Sequence, residues 1–444
     1  MGIQLNDQQT AALNAMVEFC RGEADWLGDG AGNMFCLEGY AGTGKSTTIQ
    51  FLIRHLLDEG VAVACTAPTN KAAKVLATMA REQAIDVSCM TIHSMLGLRI
   101  TQKEEDEELE KEGEGHIHKF SVIIVDEASM VNSNLYDFIA TESTVYRVRV
   151  LFVGDPAQLP PVGETDSRVF GIEGKTRLTQ IVRQAESNPI IGLSMEIRAC
   201  IAEAEQGNTL MPATSKYLQL NGPSGITKLP SRDWWRWFPS AFQSDAFKQS
   251  NDAFRILAWT NKKVDEYNNA IHRLLYPNCF DTPFAEGEIV AFRKPLAQEG
   301  GTVLIATDQE VKVVGMLRAD NIIYGDKMWQ IEVETDEGNR HKVWYLDKSD
   351  EVLFEQELKR LADLAKKEPD KEKRKTAWQD FWTLKKLPAQ MAMCYAITVH
   401  RSQGSTFNNI FVDMEDIMRN RNWLECLKLF YVAITRARYA VVLS

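Results

Sequence analysis

The sequence predicts an α/β protein with two parallel-sheet lobes, a small insertion in the first and a β-barrel insertion in the second. Three observations carry this expectation. Gly39-Tyr-Ala-Gly-Thr-Gly-Lys45-Ser46 reads G-x-x-x-x-G-K-[ST] between the apolar run Met34-Phe-Cys-Leu37 and the helix-like stretch from Ser46 to Ile53. That is the strand–loop–helix setting a phosphate-binding loop needs. Apolar runs alternate with amphipathic stretches through the first 155 residues and again from Phe254 onward, as in layered α/β folds. Within that second alternation, about residues 283–350 change to period two, the pattern of short antiparallel strands.

The loop justifies its own residues. Glycines let the backbone curl so that its N–H groups point at phosphate, Lys45 reaches the β and γ oxygens, and the Ser46 hydroxyl can ligate Mg²⁺. Gly39, Ala41, Gly42, Thr43, Gly44, Lys45, Ser46 and Thr47 are the expected nucleotide contacts. Downstream, Gly60 to Thr66, Ser121 to Val125 and Val148 to Val153 are buried-strand candidates, each ending where polar residues begin. Open α/β sheets place ligands at such strand ends. Asp126 directly follows one strand, where it can hold the metal, and Glu127 can polarise an attacking water. The next strand leads into Gly154-Asp-Pro-Ala-Gln158-Leu-Pro-Pro-Val162, where Gln158 can contact the γ-phosphate; taken alone, this segment reads equally as a plain turn.

A guanine-specific site would need N-K-x-D, but Asn261-Lys-Lys-Val264 has valine in the place of the aspartate. Small-molecule kinases share the loop, yet do not need a second α/β half ending in paired arginines. Here that half ends Leu429-Phe-Tyr-Val-Ala-Ile-Thr-Arg436-Ala-Arg438. An arginine held across a cleft can neutralise charge growing on the γ-phosphate, and Arg436 and Arg183 are the candidates. One nucleotide gripped by two lobes couples hydrolysis to closure, which is a motor architecture.

Composition narrows the class. A length of 444 residues suggests two to four structural units. No apolar run reaches the ~18 residues of a membrane span, and the first residues lack a secretory pattern, so a cytoplasmic protein with no membrane partner is expected. The eight cysteines contain no C-x-x-C pair, which favours buried reduced thiols over zinc or disulfides. A net charge of −11 argues against coating nucleic acid by bulk charge but leaves a local channel open. Eight acids against three lysines lie between Thr101 and Phe120, a run that is usually solvated.

In the second half, Phe254 to Trp259, Met391 to Ile397 and Ala440 to Leu443 are expected strands of the α/β layer. Gly287 to Phe292, Glu310 to Val314, Trp329 to Glu334 and His341 to Tyr345 are expected strands of the barrel. Residues 351–375 read as one charged helix resting on it. Trp234-Trp-Arg-Trp-Phe238 reads as rings packed on a helix face in preference to a base-stacking platform. The lysines from 359 to 375 are interleaved with acids and read as a solvated face.

The ordered motifs resemble the 1B branch of superfamily 1 helicases, the branch of Dda-like and RecD-like proteins. The resemblance runs from Leu5-Asn-Asp-Gln-Gln9 through the phosphate loop, Ala67-Pro-Thr-Asn-Lys-Ala-Ala73, Thr91-Ile-His-Ser94, Asp126-Glu127 and Gly154-Asp155 with Gln158. It continues through Arg183, Thr260-Asn261, Thr398-Val-His-Arg-Ser-Gln-Gly-Ser-Thr406 and Tyr431 to Arg438. It spans nearly the whole chain, and the length together with Trp378 to Trp382 favours the Dda-like type. Arg401 departs from the lysine of many relatives.

The resemblance implies two RecA-like P-loop NTPase domains. The first is formed by residues 1–97 and 120–160, with an acidic prong-like insertion at 98–119. The second is formed by 161–282 and 386–444, with an SH3-like barrel plus helices at 283–385. It implies that Gln9 reads adenine, Lys45 and Ser46 bind phosphate and metal, Asp126 binds the metal, and Glu127 activates water. Gln158, Arg183, Gly404 and Arg436 surround the γ-phosphate. Single-stranded DNA lies over Pro68, Thr69, Asn70, Lys71, Thr91 and His93 of the first lobe and Asn261, Thr398, His400, Ser402 and Gln403 of the second. The expected activity is ATP- and Mg²⁺-dependent 5′-to-3′ translocation and unwinding by a monomer. Tailed or forked duplex is the expected substrate, with a single-strand-binding protein or replisome components as further partners. The rival class is a nucleotide-gated DNA-binding or annealing ATPase that does not unwind.

Overall fold

The computed structural model describes residues 4–22, 32–103, 106–111, 115–182, 188–221, 224–298, 303–321, 323–324 and 326–444. The chain divides into two compact units. One comprises Met1–Arg99, Lys111–Tyr267 and Ala396–Ser444, and the other Ile100–Glu110 with Asn268–Tyr395.

The first unit holds two six-stranded sheets. In one, the order is Ser88–Thr91, Val63–Ala67, Val122–Val125, Arg149–Gly154, Met34–Gly39 and Lys175–Leu178, all parallel. Its central strands are buried along their whole length, as sheets covered by helices on both faces require. Leu52, Ile53 and Leu56 of the helix Lys45–Asp58 join Phe35, Leu37, Cys65, Ile124 and Val153 in one core.

Lys175–Leu178 falls beyond the 120–160 expected for this lobe. Glu38 on the neighbouring strand is buried, and Arg177 Nε at 2.5 Å and Lys175 Nζ at 3.3 Å neutralise it. A buried carboxylate needs such pairing, so the extra strand is drawn to the first sheet.

The second sheet runs Ala396–Thr398, Phe254–Ala258, Phe407–Val412, Ala437–Leu443, Ser224–Lys228 and Leu220–Asn221. It is parallel except for the last strand. The tryptophan cluster lies on the helix Ser231–Phe242. Trp234 and Phe238 are buried as expected, whereas Trp235 and Trp237 are 41% and 51% exposed. Trp235 stacks on Tyr267 at 5.3 Å beneath the Lys263 ammonium.

The second unit is built on a five-stranded antiparallel sheet ordered Arg340–Tyr345, Asp326–Glu334, Glu310–Asn321, Ile289–Phe292 and Met391–Met393. Val290, Val311, Val313, Ile331 and Val333 fill its core. The apolar run Met391 to Ile397, expected as one strand of the α/β layer, is instead divided. Met391–Met393 pairs with Ile289–Phe292, and Ala396–Thr398 pairs with Phe254–Ala258.

The single helix expected over 351–375 is likewise two, Glu351–Lys367 and Lys371–Lys386. Pro369 cannot continue the first, and Asp370 caps the second by accepting from the Glu372 and Lys373 amides. Phe381, Trp382 and Ala362 seal the pair. The acidic stretch forms a two-stranded ladder, Leu98–Lys103 with Asp106–Lys111. By its contacts, Ile100–Glu110 groups with Asn268–Tyr395, the unit of the antiparallel sheet.

Candidate functional site

The phosphate loop joins the strand Met34–Gly39 to the helix Lys45–Asp58. Gly44 takes φ +80°, and a Cβ there would collide with Gln9 Nε2, so glycine is required on both counts. Thr43 Oγ1 donates to Tyr40 O at 2.8 Å, closing the loop on itself. Lys45 Nζ donates to Gly39 O at 2.5 Å and Tyr40 O at 3.2 Å. Neutral carbonyls are weaker partners for an ammonium than a phosphate oxygen, so the lysine is poised to exchange them.

Gln9 sits beside this loop. Its helix opens with a reciprocal capping box, Asn6 with Gln9. Gln9 Nε2 donates to Thr43 O at 3.0 Å while its Oε1 accepts from Asn6 N at 3.0 Å. Gln8 holds Thr179 and Gln180 through three hydrogen bonds. It therefore pins the segment that leads toward Arg183, which lies outside the described residues.

Asp126 and Glu127 follow the buried strand Val122–Val125. Glu127 adopts φ +51°, a left-handed conformation costing roughly 1–3 kcal/mol in a non-glycine residue. Such strain concentrates at functional positions. Its amide donates to Asp126 Oδ1 at 2.9 Å. Burial first, and then the Glu127 charge, push the Asp126 carboxyl up to about 6, against the pull of Lys45.

Ser46 and Asp126 line one small cavity. Among the described residues, no group of three or more His, Cys, Asp or Glu can hold a metal by itself. One carboxylate, one hydroxyl and space for phosphate oxygens suit Mg²⁺, which keeps its own water and substrate ligands. They do not suit a caged structural metal.

The strand Arg149–Gly154 delivers Asp155 and Gln158, both buried. Among the described residues, Gln158 Oε1 has no hydrogen-bond partner. A buried orphan of this kind costs about 1–3 kcal/mol, and a water or ligand at the γ-phosphate position would relieve it.

From the second sheet, the helix Trp423–Ile434 runs to Thr435 and Arg436. Arg436 is buried, with donors spent on Val432 O at 3.2 Å, Thr435 Oγ1 at 3.3 Å and Ser405 O at 3.4 Å. Tyr431 was not legible as a site residue, because it sits in an otherwise apolar helical run. Its hydroxyl donates to Asp155 Oδ2 at 2.6 Å and accepts from Ala41 N at 3.1 Å. The one local signal is its place five residues before Arg436.

The expected DNA face is partly reassigned. Pro68, Thr69, Asn70 and Lys71 lie half-buried at a strand end. The Thr69 hydroxyl caps the next helix by accepting from Ala72 N, and Thr91 does the same for Ser94 N. Lys71 Nζ lies 4.9 Å over the Phe407 ring. Burial pushes both His93 and His400 below the usual imidazole range, although Glu425 pulls His400 the other way; both are therefore neutral near pH 7. Asn261 is exposed, and the loop before it is fixed by Asp416, which accepts from the Trp259 and Thr260 amides. Thr398 Oγ1 accepts from Arg401 N at 3.4 Å.

Ser402 and Gln403, expected on the DNA face, make internal contacts. Ser402 is wholly buried and donates to Val399 O at 2.7 Å. Gln403 Nε2 reaches across to Leu159 O at 3.3 Å. Their turn satisfies buried backbone groups in place of solvent-facing phosphates. Gly404, at φ +70°, faces Ala72 and Thr69, where a Cβ would stand 3.1 Å from Ala72 Cβ.

Residues 4–207 match the AAA domain family, and residues 393–444 match the UvrD-like helicase C-terminal domain family. The chain is 27% identical to the ATP-dependent DNA helicase dda of Enterobacteria phage T4, over 91% of this chain and 93% of that one. It is 32% identical to the ATP-dependent RecD2 DNA helicase of Deinococcus radiodurans over 42% of this chain and 25% of that one. Bacteroides Pif1 bound to ssDNA aligns with a TM-score of 0.53 at 18% identity, covering 99% of this chain and 92% of that one; at that identity the likeness shows the fold alone. The motifs, the AAA and UvrD-like helicase matches and these relatives together support a superfamily 1B helicase.

Proposed function

We propose that this protein is an ATP-driven DNA helicase that translocates 5′ to 3′ along single-stranded DNA and separates tailed or forked duplex. The observation that carries the reading is the turn around Gln403 and Gly404. It belongs to the second sheet, yet Gln403 bonds Leu159 in the loop that bears Gln158, and Gly404 abuts Thr69 and Ala72 at the DNA-facing strand end. One turn thus touches both the nucleotide-sensing loop and the track.

In this reading Gln9 meets the adenine, Lys45 and the loop amides bind the phosphates, and Glu127 orients and deprotonates the attacking water. Ser46 and Asp126 would hold Mg²⁺, which supplies charge neutralisation at the β and γ oxygens. Gln158 reports the γ-phosphate, and Arg436 stabilises its developing charge after leaving its own carbonyls. Loss of the γ-phosphate then loosens the contact at Leu159 and shifts the turn against Thr69–Ala72. Small donors along the track, Thr69, Asn70, Lys71, Asn261 and Thr398, can release phosphates each cycle without reading sequence. We read the five-stranded sheet as an SH3-like barrel and the acidic ladder as a wedge that excludes the displaced strand. The name of the phage relative and the DNA-bound Pif1 structure support DNA as substrate.

The deciding measurement is unwinding of partial duplexes carrying either a 5′ or a 3′ tail. Unwinding of the 5′-tailed substrate alone is expected. Preference for the 3′ tail would reverse the direction. DNA-stimulated hydrolysis with no unwinding of either would favour a gated binding or annealing ATPase.

A further inference from the structure

We infer that Tyr431 is a positioning residue for ATP hydrolysis: its single hydroxyl ties the arginine-bearing helix of the second sheet to both the phosphate loop and the loop of Gln158. This rests on the ATPase reading above. The hydroxyl donates to Asp155 Oδ2 at 2.6 Å and accepts from Ala41 N at 3.1 Å. Asp155 is otherwise held by Ala157 N at 3.0 Å, which fixes the turn three residues before Gln158. Arg436 lies little more than one helical turn beyond Tyr431. The phenol therefore bears directly on where the guanidinium stands relative to the loop, beside the Gln403–Leu159 bond.

The surroundings keep it a donor. Tyr431 is fully buried, and burial first and the Asp155 charge second push its phenol well above the ordinary tyrosine range. Beside it, the Arg198 guanidinium stacks 3.9 Å from the Tyr40 ring. Its Nε is buried without a hydrogen-bond partner among the described residues. Two contacts from the helix Pro189–Glu205 and the helix Trp423–Ile434 thus grip adjacent residues of the phosphate loop, Tyr40 and Ala41.

Tyr431→Phe keeps the ring and removes only the hydroxyl. Its kcat for single-strand-stimulated ATP hydrolysis should fall about tenfold or more, the scale of a charge-assisted hydrogen bond. KM for ATP and the melting temperature should stay near wild type. Tyr431→Phe, Asp155→Asn and the double variant form a cycle. The double variant should be no slower than the slower single, whereas additive losses would overturn the linkage. A wild-type kcat in Tyr431→Phe, or a loss matched by lowered stability, would overturn the positioning role.

Amide exchange at Ala41 provides a readout that needs no catalysis. Tyr431→Phe should lose protection there, and unchanged protection would overturn the bridge itself. If the wild-type chain hydrolysed no ATP, the functional reading would fail, while the exchange result would still decide the bridge.

Discussion

The two parallel sheets both contribute to the proposed nucleotide site but hold their candidate groups in opposite conditions. On the first sheet the groups stand ready. Among the described residues, Lys45 bonds loop carbonyls, Glu127 carries a left-handed backbone, and Gln158 Oε1 has no hydrogen-bond partner. On the second sheet they are committed. Arg436 is bonded to three acceptors of its own sheet, Ser402 is buried on Val399, and Gln403 is spent on Leu159. On the function proposed above, nucleotide binding would draw on the first side with little rearrangement, while hydrolysis would wait for Arg436 to exchange its own acceptors for phosphate.

The largest expected effect tests the ready side. Lys45→Ala should reduce DNA-stimulated ATPase by about 10³-fold or more, with the melting temperature unchanged because Lys45 bonds only loop carbonyls. Near-normal turnover would remove the nucleotide assignment. On the committed side, Arg436→Ala should lower kcat by about 10³-fold while leaving KM for ATP little changed. A rise in KM with kcat preserved would mean that Arg436 binds ground-state nucleotide, and the contrast between the sheets would collapse.

A third experiment extends the comparison to the second unit. Replacing Lys103 to Gly115 with a short Gly-Ser turn should cut unwinding about tenfold and leave single-strand-stimulated ATPase within about twofold. Equal losses would indicate a coupling defect, and no loss would assign strand separation elsewhere, most directly to the barrel near Trp329 and Trp344.

The smallest effect concerns a buried pair in that unit. His272 Nδ1 lies 3.0 Å from Glu288 Oε1, and Glu288 also accepts from Tyr395 Oη and Ala285 N. The hydrogen bond to Glu288 raises the His272 pKa above the ordinary imidazole value, outweighing burial. A raised folded-state value means that the pair stabilises fully below the unfolded histidine pKa and loses this contribution as pH climbs through the raised one. Thermal melts should show stability falling as pH rises above the ordinary imidazole value, by about 1–3 kcal/mol, which Glu288→Gln should flatten. A wild-type profile identical to that of the variant would show that the pair carries no charge.

Much of the first sheet was legible because its signals are local. The phosphate loop, the Asp126–Glu127 pair and the run Val148 to Val153 each announce themselves within a few residues. The strands of the five-stranded antiparallel sheet were legible by their period of two. The failures have tertiary causes. Nothing in Phe407-Asn-Asn-Ile-Phe-Val412 outweighs its two asparagines until Phe254–Ala258 and Ala437–Leu443 flank it. Asp106–Lys111 has poor strand propensity and becomes a strand only by pairing. The Met391 to Ile397 run could not reveal that it serves two sheets. At the site, residue types were readable but their commitments were not. That Ser402 points inward, or that Tyr431 meets Asp155, depends on contacts hundreds of residues apart in sequence for the tyrosine and on one local turn for the serine.

The grouping of Ile100–Glu110 with Asn268–Tyr395 also has a consequence for how the chain is made. During synthesis the acidic ladder emerges well before its companions, separated from them by more than 150 residues. Until those residues leave the ribosome, the ladder is an isolated two-stranded piece, which has little stability in water. Its acids then keep an unpaired edge soluble and discourage association with other strands. The ladder is therefore a late-maturing element. A chain truncated before Asn268 would carry a complete phosphate loop but an unsupported ladder, so on the proposed function nucleotide binding should be acquired in synthesis before strand separation.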